Sequence, residues 1–452
     1  MEVSGTLAMD AFLGPALTES QAREIFRQGE EAVVFALLQL AKRLTEQQAA
    51  AVAPSPATPS GMKAGYQKPP AGKRRKKPGR PKGHPGVRRL PPERIDQRQV
   101  HRLKCCPHCH GPVRQGHRTR TRYTEDIPAG IQPVVTEHTI CRAWCPRCQK
   151  SVEPAVPDAL PGSTLGLRVL VLSAWLHYAL GNTLSQIVEV FNHHLQLKLS
   201  AGALTQQWHR LQAILYPWYE QIQAAALASA VLHADETSWR VAGKTCWLWC
   251  FATPELTYFM IDRCRGSPAL RKFFTQEFRG TLVSDFWGAY NKVVCARRQM
   301  CLVHLLRDFL MVEQYKHPGK DWPAFAKQTR RLIRDAIRLS KRNDLSREEF
   351  ASRRARLDLR LQEIIGTPWQ DSQAKRLVKR FRRHQAHLFT FLDQPDVPFD
   401  NNHGERSIRP AVIIRKNSYC NRSQRGADTQ AVLMSIYRTL KQRGHDPIAT
   451  VI

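Results

Sequence analysis

Three strand-like runs joined by short turns constrain this chain more than any other feature. SAVLHADETSWRV, KTCWLWCFAT and LTYFMID follow one another between residues 229 and 262. Their apolar and β-branched residues suit strands, and the short gaps between them suit hairpins. SPALRKFFTQEF then reads as a helix, GTLVSDFWGAY as a strand entering a loop, and RRQMCLVH as a further strand.

Three hairpin-linked strands, a helix and two more strands are the element order of an RNase H-like domain, which sets carboxylates on adjacent central strands. The acids fall accordingly. Asp235 follows the apolar pair Val231-Leu232 on the first strand, and Asp285 closely follows Leu282-Val283 on the fourth. Glu405 lies far downstream in NNHGERSIRP, at the expected start of a helix. Phosphodiester cleavage by two metal ions needs oxygen ligands that hold the ions ~3.5–4 Å apart. Mg2+ takes a few carboxylates and completes its shell with water and substrate phosphate. Other readings of these acids stay open. Glu236 could act in place of Asp235, although strand alternation points the two to opposite faces. Asp262 could be a turn residue, and Asp285 could cap a helix.

Charge names the class of partner. Lys and Arg number 69 against 38 Asp and Glu, a formal +31, which calls for a polyanion. The surplus is concentrated. Residues 63–104 carry fifteen basic and two acidic residues, and residues 321–391 carry eighteen and eight, so two separate positive surfaces are expected. No apolar run reaches the ~18 residues of a membrane-spanning helix, and the acidic N-terminus MEVSGTLAMD lacks the basic start of a secretory signal. The twelve cysteines are therefore expected to be reduced, in a cytoplasmic, DNA-associated prokaryotic protein.

The segments order as follows. Residues 1–50 form an N-terminal helical segment, with one amphipathic helix over 18–48 capped by Thr18 and lined by Ile25, Val33, Val34, Leu37, Leu38 and Leu40. Residues 51–100 are a Pro/Gly-rich basic linker. Its Arg74, Arg75, Lys76, Lys77, Arg80 and Lys82 surround an AT-hook-like Gly79-Arg80-Pro81 that suits a narrow minor groove. Residues 101–155 are a zinc ribbon. Cys106-Pro-His-Cys109 and Cys145-Pro-Arg-Cys148 are two short knuckles whose four thiolates complete one tetrahedral site, with a β-hairpin expected over 117–143. Cys105 and Cys141 are off register. Residues 160–228 are helical. Leu184–Leu211 reads as a helix-turn-helix exposing Gln206, Gln207 and His209, or as a helical brace. Residues 229–445 are the catalytic domain, with a basic helical insertion at about 310–395 that includes KRLVKRFRRH. The fold class is thus α+β and multidomain.

HADETSWRV, GKTCWLWCFAT, VSDFWGAYNKV, Cys301-x2-His304 and NNHGERSIRPAVIIRKNS resemble the transposases of insertion sequence family sixty-six, a DDE group with an RNase H-like catalytic domain. The resemblance covers roughly residues 100–445. It implies that Asp235, Asp285 and Glu405 are the DDE triad on two Mg2+ (or Mn2+) ions, that Cys301 and His304 support the site, and that a zinc ion is structural. It implies a transposase that binds the terminal inverted repeats of its element, cuts and transfers strands, and acts as a homo-oligomer on double-stranded DNA, with accessory proteins. Arg406, Arg409, Arg415 and Lys416, beside Glu405, are candidate phosphate contacts. This chain departs from the family's usual Ala before the glutamate, carrying Gly404, and from its usual Gly near Cys420. Two alternatives remain: a catalytically inactive, domesticated DNA-binding regulator, and an RNase H-like nuclease without strand transfer.

Overall fold

The computed structural model describes residues 19–38, 92–114, 121–124, 127 and 130–452, apart from residues 28, 31, 35, 106 and 317. The AT-hook-like basic residues and Cys106 lie outside these. The described residues divide into two compact units, one of 19–38 with 215–445 and the other of 92–214 with 446–452.

In the second unit, β1 (Ala143–Cys145) and β2 (Lys150–Val152) form a short antiparallel hairpin. The described residues between 121 and 142 make no strand pairing, so they do not form the hairpin expected over 117–143. Val134 and Val135 are over nine-tenths exposed, so the alternation there has no face to bury against. Helices α1 (Leu167–Tyr178), α2 (Leu184–His193) and the start of α3 (Ala201–Leu227) follow. Thr183 and Gln186 make a reciprocal capping box at α2, and Asn192 brackets the turn through both polar groups of Leu199 (3.0 and 2.8 Å). Trp208 donates to Ser173 Oγ at 3.0 Å from within a core that includes Leu170, Ala174, Phe191 and Leu204. His209 is buried, not exposed as expected: it lies on the inward face of α3, next to Trp208. Gln206 is exposed and Gln207 half-buried.

The first unit is built on a five-stranded mixed sheet of order β5-β4-β3-β6-β7. Its strands are β3 (Val231–Val241), β4 (Lys244–Ala252), β5 (Thr257–Asp262), β6 (Phe278–Ser284) and β7 (Cys295–Met300). The first three pair antiparallel in sequence, and β6 and β7 add in parallel on the other edge of β3. Central β3 and β4 are buried on both faces, which explains their near-continuous apolar runs. Ala242 and Gly243, both at positive φ (50° and 74°), make the two-residue turn that matches strand twist.

Helix α4 (Ser267–Phe273) provides the crossover from β5 to β6. The insertion comprises α5 (Leu302–Tyr315), α6 (Trp322–Leu339), α7 (Arg347–Gly366), α8 (Ser372–His384) and α9 (Thr390–Asp393). They share one apolar core, with Phe309, Trp322, Phe325, Leu361 and Phe381 packed together with Val283 and Met300 of the sheet. Helices α10 (Asn402–Ser418) and α11 (Gln424–Gln442) close the unit. The first lies against β3 and β4, the second against β5. At the N-terminus, Glu19–Arg27 is helical, but Gly29 at φ 99° interrupts the single helix expected over 18–48.

Candidate active site

The register of the parallel pair builds the site. Val231 pairs with Thr281 and His233 with Val283; Asp235 lies two residues further along β3, and Asp285 follows directly on the end of β6 at Ser284. Glu405 comes to this region on the first turn of α10. The Asp235 carboxyl is pushed well above the usual range, first by burial, then by the charges of Glu236, Asp285 and Glu405. Asp235 therefore senses both Asp285 and Glu405. Among the described residues, however, no three His, Cys, Asp or Glu side chains are grouped tightly enough to hold one ion.

Each acid has a local partner. Asp235 Oδ1 accepts from the Glu236 N–H at 2.9 Å, and Asp285 Oδ1 from the Trp287 N–H at 2.8 Å. Glu405 receives both arms of Arg307, at 2.9 and 3.1 Å, and His304 Nε2 lies 3.6 Å from Oε1. His304 and Arg307 sit three residues apart on one face of α5. The His304 Nδ1 is buried and has no hydrogen-bond partner among the described residues.

Glu236 faces the other way and is enclosed. Arg265 reaches its Oε1 at 3.0 Å, and the Tyr290 hydroxyl donates to Oε2 at 2.6 Å. Burial and the nearby Asp285 charge raise its pKa to about 7 against the pull of these two donors. The Arg265 guanidinium lies between the rings of Trp247 (4.4 Å) and Trp287 (4.0 Å), and Trp287 Nε1 donates to the Arg265 carbonyl at 3.1 Å. This stack fixes the loop that carries Asp285.

Asn401, the first residue of the NNHGERSIRP motif, joins the elements that bear all three acids, a role that the motif alone does not reveal. It is fully buried. Its Nδ2 donates to the Ala234 carbonyl at 2.8 Å, and its Oδ1 lies 2.9 Å from His233 Nδ1, so it grips β3 immediately before Asp235. Its backbone N–H donates to Cys301 Sγ at 3.1 Å. The Cys301 N–H donates to the carbonyl of Ser284, the residue before Asp285, at 2.9 Å. The Asn401 carbonyl accepts from the Glu405 N–H at 3.0 Å. Cys301 is thus a buried acceptor, and burial pushes its thiol up to about 12. Gly404 is what the crowding demands: a Cβ there would stand 2.8 Å from Asn401 Oδ1.

The basic candidates separate. Arg406, Arg409 and Lys416 are exposed. Arg415 instead donates to Thr237 Oγ1 (2.8 Å) and to the Ser238 carbonyl and hydroxyl (2.6 and 2.8 Å), tying α10 to β3. On α8, Arg376 and Arg380 turn inward to Asp308, while Lys375, Lys379, Arg382 and Arg383 are exposed on one face.

The described parts of the two cysteine pairs share one backbone feature. The residue after the second cysteine, His110 in one and Gln149 in the other, takes positive φ (58° and 48°). Hydrogen bonds from the Cys148 N–H, then its thiol, hold the Cys145 thiol below its ordinary value. That environment favours the thiolate a zinc ion needs. Cys109, Cys145 and Cys148, the described members of the expected set, are not grouped tightly enough to hold one ion.

Residues 162–429, more than half of the chain, match the family described as Transposase IS66 family. The chain belongs to this family. Three relatives of this IS66-family chain come from Sinorhizobium fredii (strain NBRC 101917 / NGR234), and each is described as uncharacterized. Protein y4qI is 26% identical over 48% of this chain and 45% of its own length. Protein y4jD is 24% identical over 76% and 73%, and y4hP 22% identical over 73% and 66%. The chain therefore spans less than half the length of the first of these relatives. Among the described residues no helix is long and apolar enough to cross a membrane.

Proposed function

We propose that this chain is a DDE transposase with an RNase H-like catalytic domain, in which Asp235, Asp285 and Glu405 form the active site. The observation that carries the reading is the convergence of charge on Asp235: burial and the charge of Glu236 raise its carboxyl first, and those of Asp285 and Glu405, 120 residues apart in the chain, add to it. Such crowding is unfavourable without a counter-charge. The three carboxylates would hold Mg2+ or Mn2+, which when bound supplies activation of the attacking oxygen and stabilisation of the leaving one.

The protein's own residues perform the rest. Asp235 presents its oxygens from β3, and Asp285 from directly beyond the end of β6. Glu405 exchanges its bond to Arg307 for the shared site, and Arg307, once released, is free to meet a phosphate of the bound strand. His304 keeps the glutamate aimed inward during that exchange. Glu236, turned to the other face and held by Arg265 and Tyr290, positions the strand and loop rather than joining the acids. Exposed Arg406, Arg409 and Lys416 contact the DNA backbone beside Glu405.

The segment with Cys106, Cys109, Cys145 and Cys148, which would hold one structural zinc ion, and the basic linker bind the element ends. Two ends must be brought together, so the protein acts as an oligomer on DNA.

The test is a cleavage and joining assay on duplexes bearing the element ends with Mg2+ or Mn2+, using the full chain and Asp285→Ala. Cut and joined products from the first and binding alone from the second support the transposase. Cut but never joined products point to a nuclease. Equal binding with no cleavage by either protein, partner proteins supplied, overturns the catalytic reading in favour of a DNA-binding regulator.

A further inference from the structure

Helices α6 and α7 run antiparallel through a tight connection, and the groove between them is lined by arginine. Arg338 from α6 and Arg342 from the connection face Arg353, Arg356 and Arg360 from α7 across a floor of Leu339 and Leu357. Asp335 is the carboxylate lining the same groove. Arg360 takes one of its oxygens at 2.9 Å, while Arg338 and Arg331 stand at 3.9 Å, so one acid serves three guanidiniums. Arg342 pairs with Asp344 at the helix connection (2.6 Å). Exposed Arg356 reaches a hydroxyl, Ser352 Oγ at 3.4 Å, and Arg353 is exposed as well.

Five guanidiniums around one groove repel one another. Nothing in the packing requires them there, because the apolar residues of α6 and α7 already fill the shared core. Arginine rather than lysine is also informative. Its planar fork pairs bidentately with phosphate oxygens and loses less order on binding. The spacing fits a polyanion rather than a single ion. Arg353, Arg356 and Arg360 recur on one face of α7 over about 10 Å of helix, a length in which duplex DNA presents about six charges.

We propose that this groove is a binding site for the phosphate backbone of duplex DNA, distinct from the carboxylate site and from the basic face of α8. It rests on the transposase reading for its choice of DNA, and it gives the helical insertion a function: a second hold on the duplex. Contacts of this kind fix register and add affinity without reading bases.

The experiment measures binding of a duplex of random sequence by the full chain between 50 and 200 mM salt, for wild type, Arg353→Ala/Arg356→Ala and Arg353→Lys/Arg356→Lys. Both positions are exposed, so the fold is not at risk. Loss of two phosphate contacts lowers the slope of log affinity against log salt by about 1.8, which makes the wild type lose about twelvefold more affinity over that range than the alanine variant. The lysine variant keeps most of the slope. An unchanged slope in the alanine variant overturns the groove and leaves the transposase reading standing. Absence of duplex binding by the wild type overturns both.

Discussion

Replacing Asn401 with alanine removes the amide that grips β3 while leaving the chain's path unaltered. Two bonds are lost, from Nδ2 to the Ala234 carbonyl at 2.8 Å and between Oδ1 and His233 Nδ1 at 2.9 Å. Both partners are buried, so neither recovers water. A buried group left unsatisfied costs about 1–3 kcal/mol, giving roughly 4 kcal/mol for the pair. The backbone bonds to Cys301 and Glu405 survive, because they do not use the side chain. For a unit of roughly 230 residues, each kcal/mol moves Tm by about 2–4 °C, so a fall of about 8–16 °C is expected in a calorimetric scan. The active site should suffer beyond this. Asp235 and the start of α10 lose their direct link, so strand joining measured at 20 °C, where the variant stays folded, should fall at least tenfold, and raising Mg2+ should recover part of it. A Tm within 2 °C of wild type, or undiminished joining by a destabilised protein, would refute the view that Asn401 locks the carboxylate-bearing elements together.

Four further outcomes are expected. Arg307→Gln frees Glu405 from a bidentate bond worth about 1 kcal/mol and should lower the Mg2+ needed for half-maximal cleavage about fivefold; a higher requirement would contradict the proposed exchange. Gly404→Ala should press on the Asn401 amide and cost about 1–3 kcal/mol by urea unfolding, so a neutral result would mean that the amide yields without loss. For pH, His233 is lowered to about 4 by burial, so its contribution is present above pH 6.5 and is lost as pH falls toward 4. Glu236, raised to about 7, does the reverse: its contribution is present below pH 4.5 and is lost as pH rises through 7. The two offset each other between pH 7 and 4.5, and Glu236→Gln should unmask an acid loss about 2–3 kcal/mol larger than in wild type; equal losses would sink the assignment. Protein purified without chelator should contain one zinc per chain, and Cys145→Ser/Cys148→Ser should lose it while the Tm of the 215–445 unit holds; metal content unchanged by that substitution would remove the ribbon.

What could be read in the sequence depended on range. Four of the five strands are legible because each carries an apolar run, and Asp235 and Asp285 because each sits beside such a run; β7, CARRQM, is not apolar, and the strand expected over RRQMCLVH ends at Met300, with Leu302–His304 on α5. Opposite facing of Asp235 and Glu236 also follows from alternation alone. The role of Asn401 is invisible because its partners His233 and Ala234 lie more than 160 residues away. The Arg265 stack between Trp247 and Trp287 needs three separate elements to meet. Arg307 was within reach, since a helix beginning after Cys301 puts His304 and Arg307 on one face. Arg415 looked like its exposed neighbours, and only the hydroxyls of Thr237 and Ser238 reveal that it holds α10 to the sheet. His209 was misread because the buried stripe of α3 is wider than one residue per turn. The interrupted N-terminal helix turns on Gly29, whose freedom to take positive φ the apolar spacing conceals.

The sharpest test of the account is the strand-joining yield of Asp235→Asn beside that of Glu236→Gln. These neighbouring acids differ in which face of β3 they occupy, and both substitutions keep size while removing charge. The account predicts that Asp235→Asn abolishes joining, by a thousandfold or more (~4 kcal/mol), while Glu236→Gln stays within about tenfold of wild type, a loss of no more than ~1.4 kcal/mol. Joining by Asp235→Asn at near wild-type yield, with Glu236→Gln inactive, would place the chemistry on the opposite face and contradict it.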